Sequence, residues 1–566
     1  MRRPLLLLAL PAALALAGCG DRDAAPTAAT PAADPPAEHA FSAEITAADF
    51  GEMVRMLASD EFEGRAPGTI GEDRTVEYIK AQFERIGLQP GGDNNDWYQT
   101  VPMIETTADP STVLRLSNSA GARELKFGDE MVIGTRSGRT DVNVADSELV
   151  FVGYGVDAPE QNWNDYAGLD VKGKTVVMLV NDPGFHASDA TLFDGEKMTY
   201  YGRWTYKFEE AARKGAVAAL IIHDTPGASY GWDVVKNSWS GAQFDLRTED
   251  DPEPRLPAQG WITGEVARQL FAEAGLDLDA QIKAANTRGF KPVPLNATVA
   301  FDLKSTIEEK SSRNVVGILP GSETPEEAIL YLAHWDHLGK HEGEGDTIYN
   351  GAIDNATGVA GIIEIAGKFA AAESRPKRSL VFLAVTLEES GLLGSKYYVA
   401  QPSIDLAQTV GVINLDAMSV AGPSRDFVVT GQGNSELEDI LKTYADQQNR
   451  TLVPEGNTAG GFYFRSDHFN FAKAGVPALY AKGGNDLVDG GAAAGKSATD
   501  DYAKRYHQPS DEYNPDWNLD GVVQDLEALY GVGRTLADGG QWPNWYEGNP
   551  FKAARDQMRS EAGGAP

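Results

Sequence analysis

Apolar and polar residues follow two patterns along the chain, and each pattern predicts a different kind of element. Between residues 43 and 87 apolar side chains recur at spacings of three and four, which predicts helices over 47–57 and 73–86 around a polar turn at 60–65. From about residue 313 an apolar strand, a polar loop and a helix follow one another repeatedly. The strands predicted in this part are 314–319, 328–334, 379–387, 410–416 and 478–481.

The alternation after residue 313 predicts an α/β fold, with a mostly parallel or mixed, twisted sheet and helices on both of its faces. Residues 131–300 differ, because they contain short β-rich runs, including 175–180 and 216–223, and few candidate catalytic groups. The helical segment before residue 131 has no strands of its own, whereas the later region needs helices to cover its sheet. We therefore expect residues 41–130 and 301–566 to form one catalytic domain, with 131–300 as an inserted β-rich domain.

The start of the chain has the pattern of an export signal. Arg2 and Arg3 precede an apolar run, residues 5–17, that is short for a membrane span. The run ends in Leu-Ala-Gly-Cys19, which resembles the bacterial lipobox, where cleavage leaves a lipidated amino-terminal cysteine. We expect residues 1–19 to be a lipoprotein signal peptide; an ordinary cleaved signal with an incidental cysteine is the alternative.

Residues 20–40 are rich in Ala, Pro, Asp and Thr, a composition that cannot bury a core, so we expect a flexible tether. The residue after Cys19 is Gly20 rather than Asp, and in this respect the chain resembles lipoproteins that are sorted to the outer membrane. These features predict an exported lipoprotein on the periplasmic side, held at the outer membrane. No later stretch is long and apolar enough to cross a bilayer, so the lipid anchor is the one membrane contact that the sequence predicts.

Composition narrows the choice of partner and of chemistry. A formal net charge of −34 over 566 residues argues against nucleic acid, because its phosphates would be repelled. Cys19 is the only cysteine in the sequence. If it is lipidated, the mature protein has no disulfide, no cysteine nucleophile and no thiolate ligand.

Histidine is scarce, with eight in the chain, yet four of them fall between residues 334 and 468. His334, the pair Glu388 and Glu389, and Asp416 each stand at the carboxyl end of a predicted strand. That edge of an open α/β sheet is where ligands bind, because the loops leave a crevice there. Each position alone has an ordinary explanation, such as a helix cap for Asp416. Their joint occurrence at one edge favours a functional site.

Two further candidates lie in loops. Asp354 stands in a Gly-rich turn that leads into a predicted helix, and His507 stands in a late loop. Two imidazoles and three carboxylates, with no thiolate, suit a pair of divalent ions. Five side chains serve two ions if one carboxylate bridges them, and ions about 3.5–4 Å apart can share one hydroxide.

The adjacent glutamates predict a division of labour. Neighbouring side chains on an extended backbone point in opposite directions, so Glu388 and Glu389 are not expected to bind the same ion. One can bind a metal while the other takes a proton from water. Peptide hydrolysis needs such a base, because the leaving amine must then be protonated.

Five segments carry a resemblance to a known family: His334-Trp-Asp336, Gly351-Ala-Ile-Asp354-Asn-Ala-Thr-Gly358, Glu388-Glu389-Ser-Gly-Leu-Leu-Gly394-Ser, Asn414-Leu-Asp416 and Tyr506-His507. In order and spacing they resemble the co-catalytic zinc aminopeptidase family, which includes glutamate carboxypeptidase-like and transferrin-receptor-like proteins. The resemblance covers about 45–130 and 300–535. The middle block resembles a protease-associated (PA) domain, which many members carry inserted at this place.

The resemblance implies the zinc exopeptidase fold and two co-catalytic zinc ions. Carried over position by position, it implies that Asp354 bridges the two ions. His334 and Asp416 would complete one ion, and Glu389 and His507 would complete the other.

The same resemblance implies roles for three neighbouring residues. Glu388 would be the general base. Asp336 would hydrogen-bond His334 and fix its tautomer. Tyr506, just before a metal-binding histidine, would donate a hydrogen bond to the developing oxyanion. Of the remaining histidines in this region, we expect His337 and His341 to be loop residues beside the ligands and His468 to be structural.

Together these residues predict a metal-dependent exopeptidase, in the first place an aminopeptidase that releases amino-terminal residues of peptides with a zinc-bridged hydroxide. Removal of a carboxy-terminal acidic residue is the alternative within the fold, and it needs cationic side chains, of which Arg465 is the nearby candidate. Glutaminyl cyclisation usually needs one zinc, and a non-catalytic PA-domain binding protein typically lacks ligands that this chain keeps. No Gly-x-Ser-x-Gly elbow follows a strand in the α/β region, which argues against a Ser-His-Asp hydrolase.

Overall fold

The computed structural model describes residues 39–119, 121–187, 189–251 and 253–563. The predicted signal peptide, Cys19 and nearly all of the predicted tether lie outside these residues. From Phe41 onward the chain forms one compact unit. Among the described residues, no helix combines the length and the apolar character that a bilayer span requires.

This unit contains both helices and strands, and the two alternate mainly after residue 350. The helices are α1 (Ala47–Leu57), α2 (Ile70–Ile86), α3 (Trp204–Arg213), α4 (Thr225–Ala228), α5 (Trp232–Trp239), α6 (Gly264–Glu273), α7 (Leu278–Ala285), α8 (Thr357–Ala371), α9 (Leu393–Ala400), α10 (Leu437–Gln447), α11 (His468–Lys473), α12 (Gly491–Arg505), α13 (Asp520–Asp538) and α14 (Lys552–Glu561). The strands are β1 (Gln89–Pro90), β2 (Tyr98–Ala108), β3 (Val113–Asn118), β4 (Gly121–Lys126), β5 (Met131–Gly134), β6 (Asp141–Phe151), β7 (Asp157–Ala158), β8 (Trp163–Asn164), β9 (Thr175–Leu179), β10 (Ala218–Ile222), β11 (Ala242–Leu246), β12 (Ala258–Ile262), β13 (Val293–Leu319), β14 (Thr324–His334), β15 (Gly339–Lys340), β16 (Ile348–Tyr349), β17 (Arg378–Val385), β18 (Thr409–Asn414), β19 (Asp426–Val429), β20 (Thr451–Pro454) and β21 (Ala478–Gly483).

The two amino-terminal helices cover the later part of the fold. The first, α1, spans the residues predicted from the apolar spacing. The second, α2, begins at Ile70, before the predicted start at residue 73. The Thr69 side chain caps this helix by accepting a hydrogen bond from the N–H of Gly71, which sets the earlier start. Both helices pack against α8.

The strands that carry the candidate residues lie side by side. β14 lies between β17 and β18 and is parallel to both. β21 extends the sheet beyond β18 in parallel, whereas β13 runs antiparallel to β17. The predicted α/β class is therefore confirmed, and the large central sheet is mixed because β13 enters it from the opposite direction.

Helices cover both faces of this sheet. In β14, Tyr331 and Ala333 belong to one apolar cluster, which includes side chains of α1, α2, α8 and α13. The alternate residues Leu330 and Leu332 belong to a second cluster with side chains of α9 and α11. Because successive residues of a strand point to opposite faces, a strand buried on both sides is apolar throughout, which is the pattern that the sequence shows here.

Residues between 113 and 304 contribute a second set of strands, in which β9 and β10 correspond to the predicted runs. These strands have apolar clusters of their own on each face. The long strand β13 joins the two sets: its first part, to residue 304, pairs with β3 and β6, and its second part pairs with β2 and β17.

Glu364 of α8 is a buried carboxyl group that makes the stability of this fold depend on pH. Burial raises its pKa to about 8, although the N–H of Thr46 donates a hydrogen bond to it at 3.0 Å. An unfolded glutamate ionises near pH 4.3, so the folded chain holds an extra proton between that pH and pH 8. Stability contributed by this group is complete at low pH and is lost as the pH rises through 8.

Glu364→Gln removes this dependence, because the amide oxygen still accepts from Thr46 and carries no charge at any pH. We expect the variant to exceed the parent in free energy of unfolding by about 1–3 kcal/mol at pH 9 and by much less at pH 5, as measured by urea titration. Glu373→Gln, at an exposed position just after α8, is the matched control and should show the same small difference at both pH values. A Glu364→Gln difference that does not change with pH would contradict the assignment.

Candidate metal centre

Three neighbouring strand ends form the floor of the candidate site. His334 is the last residue of β14. β17 ends at Val385, just before Glu388 and Glu389, and β18 ends at Asn414, two residues before Asp416. Because β14 lies between these two parallel strands, their carboxyl ends meet at one edge of the sheet. The structure therefore brings these predicted residues together.

Asp354 reaches the same edge from a tight loop before α8. Gly351 begins the loop with a φ of 53°, and a Cβ atom there would lie 2.2 Å from the carbonyl oxygen of Asp354. Only glycine adopts this turn without strain or collision. The Asp354–Asn355 peptide bond is cis. The buried carboxylate of Asp511 accepts hydrogen bonds from the N–H groups of Ile353 and Asp354, at 3.0 and 3.1 Å.

The two carboxylate oxygens of Asp354 face different imidazoles. His334 Nε2 lies 3.3 Å from Asp354 Oδ1 and 3.7 Å from Asp416 Oδ1. His507 Nε2 lies 3.3 Å from Asp354 Oδ2 and 3.1 Å from Glu389 Oε2. Ligand atoms about 2.0–2.2 Å from a tetrahedral zinc ion lie roughly 3.3 Å from one another. The spacing thus fits one ion on each side of Asp354.

Buried donor atoms support this fit. Two groups of three side chains that share Asp354 could each hold an ion: His334, Asp354 and Asp416, and His337, Asp354 and Glu389. His507 Nε2 faces the second group and is buried, with no hydrogen-bond partner in the part of the chain that the structure describes. The donor set consists of imidazoles and carboxylates, which zinc accepts readily. The residues present therefore suit a pair of zinc ions.

His337 is also a member of this cluster. From the sequence alone we expected it to be a loop residue beside the ligands. Its Nδ1 lies 2.6 Å from Glu389 Oε1, and its ring centroid lies 5.6 Å from that of His507. Its Nε2 is buried and has no hydrogen-bond partner among the described residues. The alternation of side chains along a strand could not locate it, because β14 ends at His334. Its proximity to His334 in sequence was the one available signal.

Asp336 connects the ends of two strands. Its carboxylate accepts hydrogen bonds from the N–H groups of Glu388, at 3.1 Å, and Glu389, at 3.4 Å. His334 Nδ1 lies 3.1 Å from the backbone carbonyl oxygen of Asp336, whereas the carboxylate is 3.8 Å away. The atom of Asp336 nearest to the His334 ring is thus its backbone carbonyl oxygen, and its carboxylate lies farther away. Donation from Nδ1–H to this carbonyl leaves Nε2 with a free lone pair toward Asp354.

Negative charge dominates the electrostatics of the cluster. Burial raises the pKa of Glu388 well above its usual value, and the charges of Glu389, Asp467 and Asp416 add to the effect. Burial likewise raises the pKa of Asp336 to about 7. Buried carboxylates in such numbers need protons or cations to neutralise them. A pair of divalent ions would provide that neutralisation.

Further residues frame the edge of the cluster. Ser466 Oγ donates a hydrogen bond to Asp416 Oδ2 at 2.5 Å. Tyr506 is half-exposed and stacks on His507, with 3.9 Å between ring centroids. Burial and the nearby Asp354 raise the pKa of Tyr506, so its phenol keeps its proton. Burial lowers the pKa of His468 to about 3, and its Nδ1 lies 3.3 Å from the Asn414 side chain, which agrees with a structural role.

A cavity of about 850 Å³ adjoins the cluster, and its lining includes Ile353 and Ala417, which are adjacent in sequence to Asp354 and Asp416. Met418, Tyr480, Lys482 and Arg505 also line it. The Lys482 ammonium donates to the carbonyls of Asp416 and Ala417 at 3.2 and 2.8 Å. Arg505 donates to Asp501 at 3.0 Å. Both cations that line the cavity are therefore engaged.

Comparisons with known proteins point to one family. Residues 314–530 match the model of peptidase family M28. The chain is 23% identical over 406 residues to "Probable glutamate carboxypeptidase AMP1" of Arabidopsis thaliana, covering 67% of this chain and 53% of that protein. It is 30% identical over 161 residues to "Aminopeptidase NAALADL1" of Mus musculus, covering 27% of this chain and 20% of that protein. Among solved structures, the aminopeptidase from Aneurinibacillus sp. strain AM-1 aligns with a TM-score of 0.47 and 21% identity, over 88% of this chain and 95% of that chain.

The matched segment and the candidate centre coincide. The chain spans about half the length of the first curated relatives, 53% and 48%. Within it, residues 314–530 contain His334, Asp354, Glu389, Asp416 and His507. The family match therefore falls on the part of the chain that carries the cluster.

Proposed function

We propose that this chain, whose residues 314–530 match the model of peptidase family M28, is a metal-dependent exopeptidase that releases amino-terminal residues from peptides. One observation carries the proposal: the two carboxylate oxygens of Asp354 lie beside two different imidazoles, within a buried cluster that could hold two metal ions. Zinc is the ion that this donor set favours. When bound, a zinc pair polarises the scissile carbonyl and makes water acidic enough to react near neutral pH.

The surrounding side chains supply proton transfer and orientation. Glu388 lies at the end of β17 within the field of His334 and Asp416, and we assign it the general base, which takes a proton from water and returns it to the leaving amine. The Asp336 carboxylate accepts a hydrogen bond from the backbone of the glutamate pair. The Ser466 hydroxyl donates a hydrogen bond to the carboxylate of Asp416. Tyr506 keeps its proton beside His507 and can donate a hydrogen bond to the oxyanion.

The charges around the cluster favour the amino end of a substrate. A free α-amino group is a cation, and carboxylate charge that the metal ions leave unneutralised would attract it. The adjoining cavity has its two cations, Lys482 and Arg505, already engaged with protein oxygens. Among the lining residues that the structure describes, Arg505 is paired with Asp501, so the Lys482 ammonium, already bound to two carbonyls, is the one cation that an acidic side chain could meet there.

Glu388→Gln tests the assignment of the base. The full chain should release the chromophore from aminoacyl anilides and cleave peptides with free amino ends, but not the same peptides after acetylation, and a chelator should abolish both activities. Glu388→Gln should lower kcat by about 100-fold or more, because proton transfer by a positioned base contributes that much, with two zinc ions still bound per chain. Glu326→Gln, exposed at the other end of β14, is the control that should retain the parent kcat.

Full activity of Glu388→Gln with its zinc in place would remove Glu388 as the base. Cleavage of acetylated and free peptides at equal rates would contradict the preference for the amino end.

A pair of arginines supports a second candidate, removal of a carboxy-terminal residue. Arg203, at the start of α3, and Arg465, next to Ser466, each have a buried Nε without a hydrogen-bond partner among the described residues. Burial and the charge of Arg465 lower the pKa of Arg203 to about 10, so the two guanidinium groups are neighbours. Guanidinium groups without a counter-ion suit a carboxylate. This pair could therefore bind the carboxyl end of a short peptide.

Arg465→Met separates the two candidates. If the pair binds the carboxyl end of a substrate, release of glutamate from acetylated dipeptides should show KM raised tenfold or more, because a charge-assisted hydrogen bond to the carboxylate is lost. Hydrolysis of aminoacyl anilides, which lack that carboxylate, should keep its KM. Arg268→Met, an exposed arginine on α6, is the control. Absence of any glutamate release from the parent chain would eliminate this candidate.

We further propose that residues 131–300 form an inserted PA domain that restricts access to the site. The separate apolar clusters of this region support the proposal. So does a hydrogen bond of 3.2 Å from the N–H of Met198 to the carbonyl of Thr458, in the segment that leads to Ser466. The proposed export, the lipid on Cys19 and the location at the outer membrane rest on the amino-terminal sequence alone.

A further inference from the structure

Arg65 binds the backbone beside the candidate metal centre from outside the family-matched segment. The side chain follows α1 and is only 1% exposed. Its guanidinium donates four hydrogen bonds, all to backbone carbonyl oxygens: Nε to Trp335 at 2.9 Å, Nη1 to Leu57 at 2.8 Å and to Asn350 at 2.6 Å, and Nη2 to Gly351 at 2.8 Å. One side chain thus satisfies carbonyls from three separate stretches of chain.

Three of these carbonyls, those of Trp335, Asn350 and Gly351, belong to the two segments that carry His334 and Asp354, and the fourth belongs to the last residue of α1. Trp335 follows His334 at the end of β14, and Gly351 begins the loop that ends in Asp354. The carbonyl of Arg65 also accepts a hydrogen bond from the N–H of His337 at 3.4 Å. Arg65 therefore fixes the distance between the backbone at His334 and the backbone of the Asp354 loop.

Asp511 holds the same loop from its opposite side. Its carboxylate accepts from the N–H groups of Ile353 and Asp354, and its carbonyl accepts from the N–H of Ala352 at 2.9 Å. Asp511 follows His507 by four residues, so it also ties the loop to the segment of that histidine. The carbonyl groups of the loop are bound by Arg65 and its N–H groups by Asp511.

The backbone around Arg65 is bent to reach this position. The backbone of Glu63, Gly64 and Arg65 has φ values of 45°, 66° and 54°, in a region that residues other than glycine rarely adopt. A Cβ atom on Gly64 would lie 2.5 Å from the carbonyl oxygen of Gly339, which shows how closely this turn approaches β15. Strained residues of this kind persist where the surrounding contacts hold them, and they cluster at functional sites.

We propose that Arg65 and Asp511 are positioning residues that hold the Asp354 loop in register with His334 and His507 and thereby set the zinc affinity of the centre. The inference rests on the proposed function only in so far as the centre holds zinc. Neither side chain needs to contact the ions. Each acts through the backbone that carries a predicted ligand, and small displacements of ligands weaken metal binding strongly.

Zinc titration of Arg65→Met, Arg65→Lys and Asp511→Asn in the full chain tests the proposal. Zinc alone is the probe, buffered by a chromogenic chelator, and the unfolding temperature of each zinc-free protein is measured beside it. Arg65→Met and Asp511→Asn should raise the zinc dissociation constant by about 10- to 100-fold, and Arg65→Lys, which keeps some of the hydrogen bonds, should raise it less. At saturating zinc, KM for an aminoacyl anilide should stay within about twofold of the parent.

Arg55→Met is the matched control, because Arg55 is an exposed arginine of α1 that pairs with Glu52. It should bind zinc as the parent does. Unchanged zinc affinity in Arg65→Met and Asp511→Asn would overturn the proposal, and so would unfolding of both zinc-free variants, which would make these residues part of the core alone. A parent chain that binds no zinc would instead refute the proposed function, so the two failures can be told apart.

Discussion

The burial of several carboxylates in one small volume is the constraint on which the rest of the site depends. Asp354, Asp416 and Glu389 lie at the ends of strands and loops that a mixed sheet brings to one edge, and Glu388 and Asp336 lie beside them. Such a group is stable only if imidazoles, guanidinium groups and metal ions neutralise it. The part of this negative charge that the metal ions leave unneutralised accounts for the proposed preference for a cationic amino end.

Much of the fold could be predicted from periodicity, because the spacing of apolar residues differs between elements buried on one face and elements buried on two. The helix at 47–57 and the buried strands β14 and β17 lie close to the ranges predicted from that spacing. The strand predicted over 410–416 ends at Asn414, since the chain leaves the sheet to present Asp416. The antiparallel entry of β13 was not predicted, because periodicity shows which residues are buried and not the direction in which strands pair.

The candidate site, like the fold, could be predicted only in part from the sequence. His334, Glu388, Glu389 and Asp416 converge because residues at the carboxyl ends of neighbouring parallel strands share one edge. Asp354 and His507 reach the same edge from loops. His337 escaped prediction because it lies just beyond the end of a strand. Arg65 and Asp511 escaped it because they act through backbone hydrogen bonds to distant segments, and such contacts leave no spacing pattern.

A crystal of the full chain grown with zinc, with diffraction measured on both sides of the zinc absorption edge, tests the central claim most directly. The account predicts two anomalous peaks about 3.5–4 Å apart, one on each side of the Asp354 carboxylate. One peak would lie next to His334 and Asp416, and the other next to Glu389 and His507. A map without a peak at Asp354, or with a single ion that leaves one of these imidazoles unbound, would contradict the account.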